Sequence, residues 1–311
     1  MTKFYMMVGI PGSGKSKIAE ELGVKVYASD KLRKELWGSE ETQGDNNELF
    51  TELYKRIKES LKKGESCVLD ATNLNSSKRT HFLKEIENID CEKICIIVAT
   101  DFNVCLARNR ERKRHVPYEV IKRMYFNIEI PQYREGWDKI IVKRALDKNN
   151  DYDIFKFIDY LETENHDNPH HLLTIGAHIQ AVTKYIIDTY KLTFAGDIHR
   201  LEKLITAAMY HDVGKKITKT FVNTKGETTE VAHYYFHEKV SAYMYLLYEK
   251  DEKIENDLEN VLYVADLIGL HMRLFCPEGS KPKVENKLKQ LVGERGYEDL
   301  CILHEADIVC S

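Results

Sequence analysis

The glycine-rich segment near the start of this chain constrains its fold more than any other feature. Residues 9–16 read Gly-Ile-Pro-Gly-Ser-Gly-Lys-Ser and lie between a short apolar run and a segment with helical spacing. They fit the pattern G-x-x-x-x-G-K-[ST] in the strand–loop–helix context that a phosphate-binding loop requires. Backbone N–H groups of such a loop turn toward phosphate oxygens, and the following helix N-terminus adds positive potential.

This motif predicts ATP as a ligand, together with Mg²⁺. Lys15 is expected to reach the β- and γ-phosphates, and Ser16 is expected to bind Mg²⁺. The nucleotide-binding residues predicted from the loop are Gly12, Ser13, Gly14, Lys15 and Ser16.

Strand-like and helix-like segments alternate through the first half of the chain. Apolar runs predict strands at 3–9, 24–29, 66–69, 93–100 and 139–142. Helical periodicity follows at 15–23, 45–63, 76–88, 102–113 and 117–130. This alternation favours a mostly parallel sheet with helices on both faces.

A polar stretch at 145–153 separates this half from a mainly helical one. Helices are predicted at 154–162, 172–191, 197–213, 237–250, 255–273, 284–292 and 297–309. The exception is a β-hairpin predicted at 218–222 and 228–235, around a turn at 223–226. The predicted domains are residues 1–148 and 153–311, which suits a length of 311 residues.

Charge and histidine content differ between the two halves. Residues 1–150 carry a net charge of +5 and residues 151–311 a net charge of −9, and ten of the twelve histidines follow residue 160. No apolar run reaches the ~18 residues of a transmembrane helix, and the N-terminus lacks signal-peptide features. The seven cysteines include no C-x-x-C pair. Reduced thiols in a cytoplasmic protein, away from any membrane, are the expected reading.

Three further features of the first half bear on the phosphate acceptor. Asp30 and Arg33 follow the second strand, where a carboxylate could take a proton from a hydroxyl and an arginine could hold a phosphate. A helix cap is the alternative for Asp30. Asp70 ends the third strand, at a position suited to Mg²⁺. The basic segment 108–117 could close over the triphosphate as a lid, or form a solvated helix end.

These features together resemble the 5′-hydroxyl polynucleotide kinases over residues 3–145. The resemblance implies that Lys15 and Ser16 bind ATP and Mg²⁺ and that Asp30 activates a terminal 5′-OH. It also implies that Arg33 engages phosphate near the acceptor end and that Arg112 is the lid arginine, with Arg110 and Arg114 as alternatives. Asp70 departs from the family pattern, since the family has its acid at the position of Ala71.

The second half carries scattered histidines and carboxylates on predicted helices. His211 and Asp212 are adjacent at the end of an apolar helix, which suggests a shared cation. His178, His237, His271 and Asp307 are each, taken alone, more typical of a structural role. His166–Asp167 is expected to be an ordinary loop.

In this order the residues resemble the HD phosphohydrolase superfamily, over residues 155–311. The stretch 170–178 and the hairpin that leads to His237 are similar to HD domains of RNA-processing enzymes. The resemblance implies one metal at His178, His211, Asp212 and Asp307, and a second site completed by His237 and His271. Such ligands suit Mn²⁺, Fe, Co²⁺, Ni²⁺ or Zn²⁺ better than Mg²⁺. Lys215 could neutralise phosphate charge or be a surface lysine.

The expected fold class is therefore an α/β P-loop kinase domain followed by an all-α HD domain with a small β-hairpin. The expected function is RNA end healing, in which one domain phosphorylates a 5′-OH. The other domain would open a 2′,3′-cyclic phosphate, remove a terminal 2′ or 3′ phosphate, or do both. Nucleic-acid ends, with RNA favoured, and an RNA ligase of the same pathway are the expected partners. The alternative is a small-molecule kinase fused to an HD nucleotide phosphohydrolase; an ATP-operated switch without catalysis is the remaining reading.

Overall fold

The computed structural model describes all residues except 40, 41, 43, 113, 148–151, 170 and 171. The chain divides into two compact units, Met1–Asn149 and Asn150–Ser311. Residues 148–151 of the predicted linker lie outside the described residues, and the domain limits 1–148 and 153–311 stay predictions. Lys113 of the basic segment and His170 and His171 of the HD-like stretch also lie outside them.

A five-stranded, all-parallel sheet forms the centre of the N-terminal unit. The strand order is β2-β3-β1-β4-β5, so the first strand lies in the middle. The strands are β1 (Lys3–Val8), β2 (Lys25–Ala28), β3 (Cys67–Asp70), β4 (Glu92–Thr100) and β5 (Lys139–Ala145). The phosphate-binding loop leaves the carboxyl end of β1, next to the ends of β3 and β4.

Helices flank this sheet on both faces. They are α1 (Lys15–Glu21), α2 (Ser29–Trp37), α3 (Asn46–Lys62), α4 (Ser76–Glu85), α5 (Phe102–Glu111) and α6 (Tyr118–Phe126). Ala19 of α1 packs with Met7 of β1, whereas Phe82 of α4 contacts Phe4, whose side chain points to the opposite face. The predicted α/β architecture is therefore confirmed. Helix α2 is the one described helix of this unit that the periodicity did not predict.

The C-terminal unit is helical apart from one hairpin, as predicted. Its strands are β6 (Thr220–Val222) and β7 (Thr228–His233), which pair antiparallel. Its helices are α7 (Ile154–Leu161), α8 (Ile175–Tyr190), α9 (Ile198–Tyr210), α10 (Lys215–Thr218), α11 (His237–Tyr248), α12 (Asp251–Asn256), α13 (Leu258–Leu270) and α14 (Lys281–Val309).

Several details of this unit differ from the predicted pattern, and helix α12 is one that the periodicity did not predict. A short helix, α10, occupies the start of the predicted first hairpin strand. Helix α14 joins the two predicted C-terminal helices, and the break between them is local, at Gly293 with a left-handed φ of 74°. Glycine carries this conformation without a Cβ clash. None of the described helices is both long and apolar enough to cross a membrane.

Candidate phosphate-binding loop and metal centre

The phosphate-binding loop is built where the chain turns from β1 into α1. Gly12 has φ 83°, and a Cβ at this position would lie 2.3 Å from the carbonyl oxygen of Cys105, so only glycine fits. Gly14, with φ 100°, is the N-cap of α1. Ser13 is buried, and its carbonyl accepts hydrogen bonds from Thr100 Oγ1 at 3.0 Å and Arg108 Nη1 at 3.1 Å. The loop is therefore held from β4 and α5, and Ser16 on α1 stays exposed.

Lys15 points back across this loop, and its Nζ donates to the Ile10 carbonyl at 2.8 Å. Burial lowers the pKa of Lys15 to about 8, against the opposing charge of Asp70. Arg112 also lowers this pKa, and Asp30 raises it. The charges of Asp70, Arg112 and Asp30 thus act on Lys15. Asp70 is the last residue of β3, and it is buried.

Asp30 lies in the first turn of α2 between two arginines. Its Oδ1 accepts a hydrogen bond from Arg33 Nη1 at 2.8 Å, and Arg114 Nη1 lies 2.6 Å from the same oxygen. The N-cap of α2 is Ala28, and its N-terminus has no side-chain cap hydrogen bond, so Asp30 is not a cap. The side chain of Asp30 is 38% exposed and remains accessible to a second molecule.

Arg114 is the residue of the basic segment that contacts Asp30. Sequence reasoning names Arg112 as the lid arginine and Arg114 as an alternative. In the structure Arg112 is the C-cap of α5 and its charge acts on Lys15, whereas Arg114 contacts Asp30. The two arginines thus act on different residues of the site, and the lid role of Arg112 stays a prediction.

Six predicted metal-binding side chains meet inside the C-terminal unit, and all six are buried. They come from the start of α8, the end of α9, the start of α11, the end of α13 and the last turns of α14. These residues are His178, His211, Asp212, His237, His271 and Asp307. They form two groups of three, each suited to hold one cation.

The first group joins His178, His211 and Asp307. His178 Nε2 lies 3.3 Å from His211 Nε2 and 3.0 Å from Asp307 Oδ1. The second group joins Asp212, His237 and His271, with 3.4 Å between the two imidazole Nε2 atoms and 3.1 Å from His237 Nε2 to Asp212 Oδ1. Two nitrogens that are each about 2.1 Å from one ion are at most about 4.2 Å apart, so both pairs can share an ion.

Asp212 lies between the two groups. Its Oδ1 faces the second group, while its Oδ2 lies 3.5 Å from His178 Nε2 and 3.4 Å from His211 Nε2. Sequence reasoning assigns Asp212 to the first metal, and the structure gives it one oxygen for each group. Neither oxygen has a hydrogen bond of good geometry among the described residues, and the carboxylate is 1% exposed. Oδ2 does lie 2.7 Å from the Lys215 ammonium, so Asp212 is held by opposite charge and both of its oxygens can bind a cation.

Backbone carbonyls fix the orientation of all four imidazoles. The Nδ1 atoms of His211, His237 and His271 face the carbonyls of Ala208, Tyr234 and Ile268, at 2.7–2.8 Å. His178 Nδ1 faces the Cys310 carbonyl at 3.2 Å. Since a carbonyl only accepts, Nδ1 carries the proton and each Nε2 lone pair turns inward. Histidines that bind metals typically donate their other ring N–H to a carbonyl in this way, so the residues present fit divalent cations.

The charges of the cluster favour ionised carboxylates. Burial alone would raise the pKa of Asp212, but the charge of Lys215 holds it well below its usual range. Burial likewise works against ionised Asp307, whose pKa nevertheless lies below its usual range beside His178 Nε2, 3.0 Å away. Burial lowers the pKa of His271 to about 3, so this imidazole is neutral and able to coordinate.

Lys215 is a buried part of this centre, which decides against the surface-lysine alternative. Its Nζ lies 2.7 Å from Asp212 Oδ2 and 3.3 Å from His166 Nε2, and 5.5 Å from the ring centre of Tyr234. Its side chain follows Asp212 by three residues, across the Gly214 turn.

Sequence reasoning missed His166. The segment around it is a loop, as expected, yet His166 is 2% exposed and its ring contacts that of His178 edge to face. Its Nδ1 faces the Leu173 carbonyl at 2.7 Å, so Nε2 accepts from Lys215. Burial lowers the pKa of His166 to about 4, which keeps it neutral. Its neighbours Asn165 and Asp167 are typical turn residues. No local sequence signal indicates that His166 contacts Lys215, which is 49 residues away.

Two family models match the chain. Residues 4–131 match a family described as an AAA domain, and residues 177–310 match the HD domain family. The chain joins a P-loop kinase-like domain to an HD domain. This combination supports an enzyme, with the candidate metal-binding side chains of its HD domain brought together as described.

The chain is also similar to the L-seryl-tRNA(Sec) kinase of Methanococcus maripaludis. Identity is 29% over 146 residues, which cover 43% of this chain and 55% of the relative. The chain thus spans about half the length of this curated relative.

Two solved kinases have low structural similarity to the chain. A sugar kinase from Janibacter gives a TM-score of 0.36 at 17% identity, covering 46% of this chain and 85% of that one. A gluconokinase from Sinorhizobium meliloti gives a TM-score of 0.33 at 19% identity, covering 45% and 81%. Nothing about substrate follows from scores in this range.

Proposed function

We propose that this protein heals broken RNA ends, with a 5′-hydroxyl kinase in its first half and a metal-dependent phosphohydrolase in its second. The observation that carries the proposal is the position of Asp30. This accessible carboxylate is clamped by two arginines, and its charge acts on the Lys15 of the phosphate-binding loop. A phosphate acceptor that is itself flanked by phosphates suits that arrangement.

In the kinase half, each residue has one task. Lys15 holds the β- and γ-phosphates of ATP, and the Ser16 hydroxyl is a ligand for the accompanying Mg²⁺. Asp30 accepts the proton of the attacking 5′-OH, while Arg33 binds a phosphate of the acceptor strand. Arg112 stabilises the charge that develops on the transferred phosphoryl group. Asp70, the last residue of β3, would place its carboxylate near the Mg²⁺.

In the HD half, His178, His211 and Asp307 would hold one cation, and His237 and His271 a second, with Asp212 shared between them. A transition metal such as Mn²⁺, Fe, Co²⁺, Ni²⁺ or Zn²⁺ would supply an activated water and a clamp for the phosphate oxygens. The Lys215 ammonium offsets the charge of the substrate phosphate. His166 keeps that ammonium in place through its neutral Nε2.

The choice of RNA rests on three points. The first half carries the net positive charge, and its arginines are concentrated in the segment that reaches Asp30. The Methanococcus relative is, by its name, a kinase of a tRNA-linked substrate. Phosphorylation of the 5′-OH, together with opening of the 2′,3′-cyclic phosphate and removal of the phosphate that this leaves, would convert the two ends of one break into a 5′-phosphate and a 3′-OH, which a ligase joins. An RNA ligase of the same pathway and a cytoplasmic location remain part of the proposal.

The test uses two labelled RNA oligonucleotides and the full chain. One carries a 5′-OH and is incubated with ATP and Mg²⁺; the other carries a 2′,3′-cyclic phosphate and is incubated with Mn²⁺. Lys15→Ala is expected to abolish phosphate transfer only, and Asp212→Ala to abolish hydrolysis only. Lys17→Ala is the matched control, because Lys17 is an exposed lysine on the same helix.

Two outcomes would contradict the proposal. Transfer to free nucleosides or sugars without transfer to RNA would favour a small-molecule kinase fused to an HD nucleotide phosphohydrolase. Loss of both activities in each single variant would contradict the assignment of one reaction to each half.

A further inference from the structure

Two guanidinium groups approach one oxygen of the Asp30 carboxylate. Arg114 Nη1 lies 2.6 Å from Asp30 Oδ1, and Arg33 Nη1 donates to the same oxygen at 2.8 Å. Because the two guanidinium groups repel each other, contacts elsewhere must hold each of them in place. Arg33 has such a contact, since its Nη2 donates to Asn46 Oδ1 at 3.2 Å, and Asn46 is the first residue of α3.

Arg114 is held in place through a buried asparagine, Asn109 of α5. The Asn109 amide makes two hydrogen bonds to the backbone of Val116: Nδ2 donates to the Val116 carbonyl at 2.9 Å, and Oδ1 accepts from the Val116 N–H at 3.0 Å. His115 Nδ1 lies 2.9 Å from the Asn109 carbonyl. The two residues that follow Arg114 are therefore tied to one buried residue, which restricts the backbone that carries the Arg114 side chain.

The asparagine side chain is specifically suited to this task. Its amide presents a donor and an acceptor side by side, which match the carbonyl and the N–H of one backbone residue. Neither an ionised aspartate nor an aliphatic side chain at position 109 would offer both groups. The loss of either bond would also leave a polar group of the backbone without its partner.

The same end of α5 contacts the phosphate-binding loop. Arg108 precedes Asn109, and its Nη1 donates to the Ser13 carbonyl at 3.1 Å. Helix α5 thus contacts the loop proposed to hold ATP and, through Asn109, the chain segment that reaches Asp30. Phosphoryl transfer requires that the base and the nucleotide keep a fixed geometry around the attacking hydroxyl.

We propose that Arg114 and Asn109 are positioning residues for Asp30. The proposal rests on the kinase function proposed above. Arg114 and Arg33 hold Oδ1, so that Oδ2 takes the proton of the 5′-OH. The oxygen of that hydroxyl bonds to the γ-phosphorus of ATP, the bond from this phosphorus to the β,γ-bridging oxygen breaks, and ADP leaves. Asn109 acts one step further away, because it fixes the backbone next to Arg114.

A double-mutant cycle with Asp30→Asn tests this role in the full chain, with 5′-OH RNA, Mg²⁺ and radiolabelled ATP under single-turnover conditions. We expect Arg114→Ala to lower the rate constant of phosphate transfer about tenfold or more when Asp30 is present. In the Asp30→Asn protein the same change should alter the residual rate less than about twofold, because no base remains to be positioned. Binding of ATP and of RNA should stay within about twofold of wild type, and Arg114→Lys should recover part of the rate.

The matched control is Arg123→Ala, which removes an exposed arginine of α6 and should change neither rate. Asn109→Ala is the second variant, and its effect should likewise require Asp30. Asn103→Ala, at an exposed position of the same helix, is its control. If Asn109→Ala does not fold, Arg114→Ala decides alone.

Equal losses with and without the Asp30 carboxylate would overturn the proposal, because they would show that Arg114 does not act through Asp30. The absence of any loss, or a loss explained entirely by weaker binding of ATP or RNA, would overturn it as well. Transfer to a nucleoside but not to RNA would contradict RNA as the substrate. The same cycle on the nucleoside would then decide the role of Arg114. Transfer to neither acceptor would contradict the kinase function and with it this role.

Discussion

At the scale of single residues, His166 holds the Lys215 ammonium beside Asp212. His166→Ala removes the Nε2 acceptor, so the ammonium can swing away from the substrate phosphate. We expect kcat for cyclic-phosphate hydrolysis to fall about tenfold or more, while the metal content, measured by mass spectrometry, stays that of wild type. His166→Gln, which returns an acceptor oxygen, should recover part of the rate. His199→Ala, at an exposed histidine, serves as control. Loss of metal together with activity would instead give His166 a purely structural role.

A second residue-scale prediction concerns the buried pair Arg79–Glu135. Arg79 donates from Nε at 2.8 Å and from Nη2 at 2.6 Å, and Trp137 Nε1 donates to the same carboxylate at 3.0 Å. Glu135→Ala leaves the guanidinium buried without its counter-charge, which costs about 3–5 kcal/mol. Urea denaturation followed by tryptophan fluorescence should show this loss.

The control for this pair is Glu92→Gln, which breaks the partly exposed pair between Lys3 and Glu92 in the same unit. It is expected to change the unfolding midpoint little. The double variant Arg79→Met/Glu135→Leu should recover much of the stability lost in Glu135→Ala, because it leaves no unpaired charge. A Glu135→Ala midpoint equal to that of wild type would show that the ion pair does not stabilise the unit.

At the scale of secondary-structure elements, the contact between Gly214 and α11 sets the position of His237 relative to Asp212 within the second metal group. A Cβ on Gly214 would lie 2.4 Å from the His237 carbonyl oxygen and 2.9 Å from the Ser241 nitrogen. Gly214→Ala should therefore push the start of α11 away from Asp212 and weaken metal binding by the group that contains His237. Metal titration should show that loss of affinity.

Gly269→Ala is the matched control for this prediction. Gly269 lies inside α13, and its Cβ would meet Ala242 at an ordinary 3.6 Å. Since alanine favours a helix over glycine by about 1 kcal/mol, this variant should keep its metals and unfold at the same or a higher temperature. Equal metal affinity in the Gly214→Ala and Gly269→Ala proteins would show that the close packing of Gly214 against α11 does not control metal binding.

Local sequence patterns predicted most of these elements, because a strand, a helix face and a glycine loop each depend on a few neighbouring residues. The four leucine and isoleucine positions of α3 follow one face and are all buried. The convergence of His178 with Asp307 was reached only through a family resemblance, since 129 residues separate them. The contact of Arg114 with Asp30 and that of His166 with Lys215 could not be predicted from the sequence. Each contact depends on where the fold places a loop.

At the scale of the whole molecule, the two units offer different spectroscopic signals. Both tryptophans, Trp37 and Trp137, belong to the N-terminal unit, whereas both metal groups lie in the C-terminal one. Tryptophan fluorescence excited at long wavelength therefore follows the first unit only, and circular dichroism follows the helices of both. A ligand that binds only the native state stabilises it, by about 2.7 kcal/mol at a concentration of 100 Kd.

We therefore expect Mn²⁺, added back to chelator-treated protein, to raise the unfolding temperature seen by circular dichroism but not the tryptophan transition. The six buried ligands gain their cation only in the folded C-terminal unit, and the N-terminal unit holds none of them. Asp212→Asn should lose the shift, because the carboxylate that faces both groups is neutralised. An equal rise in the temperature of the tryptophan transition would contradict separate unfolding of the two units. If Mn²⁺ raised the unfolding temperature in neither signal, the result would contradict metal binding by the C-terminal unit.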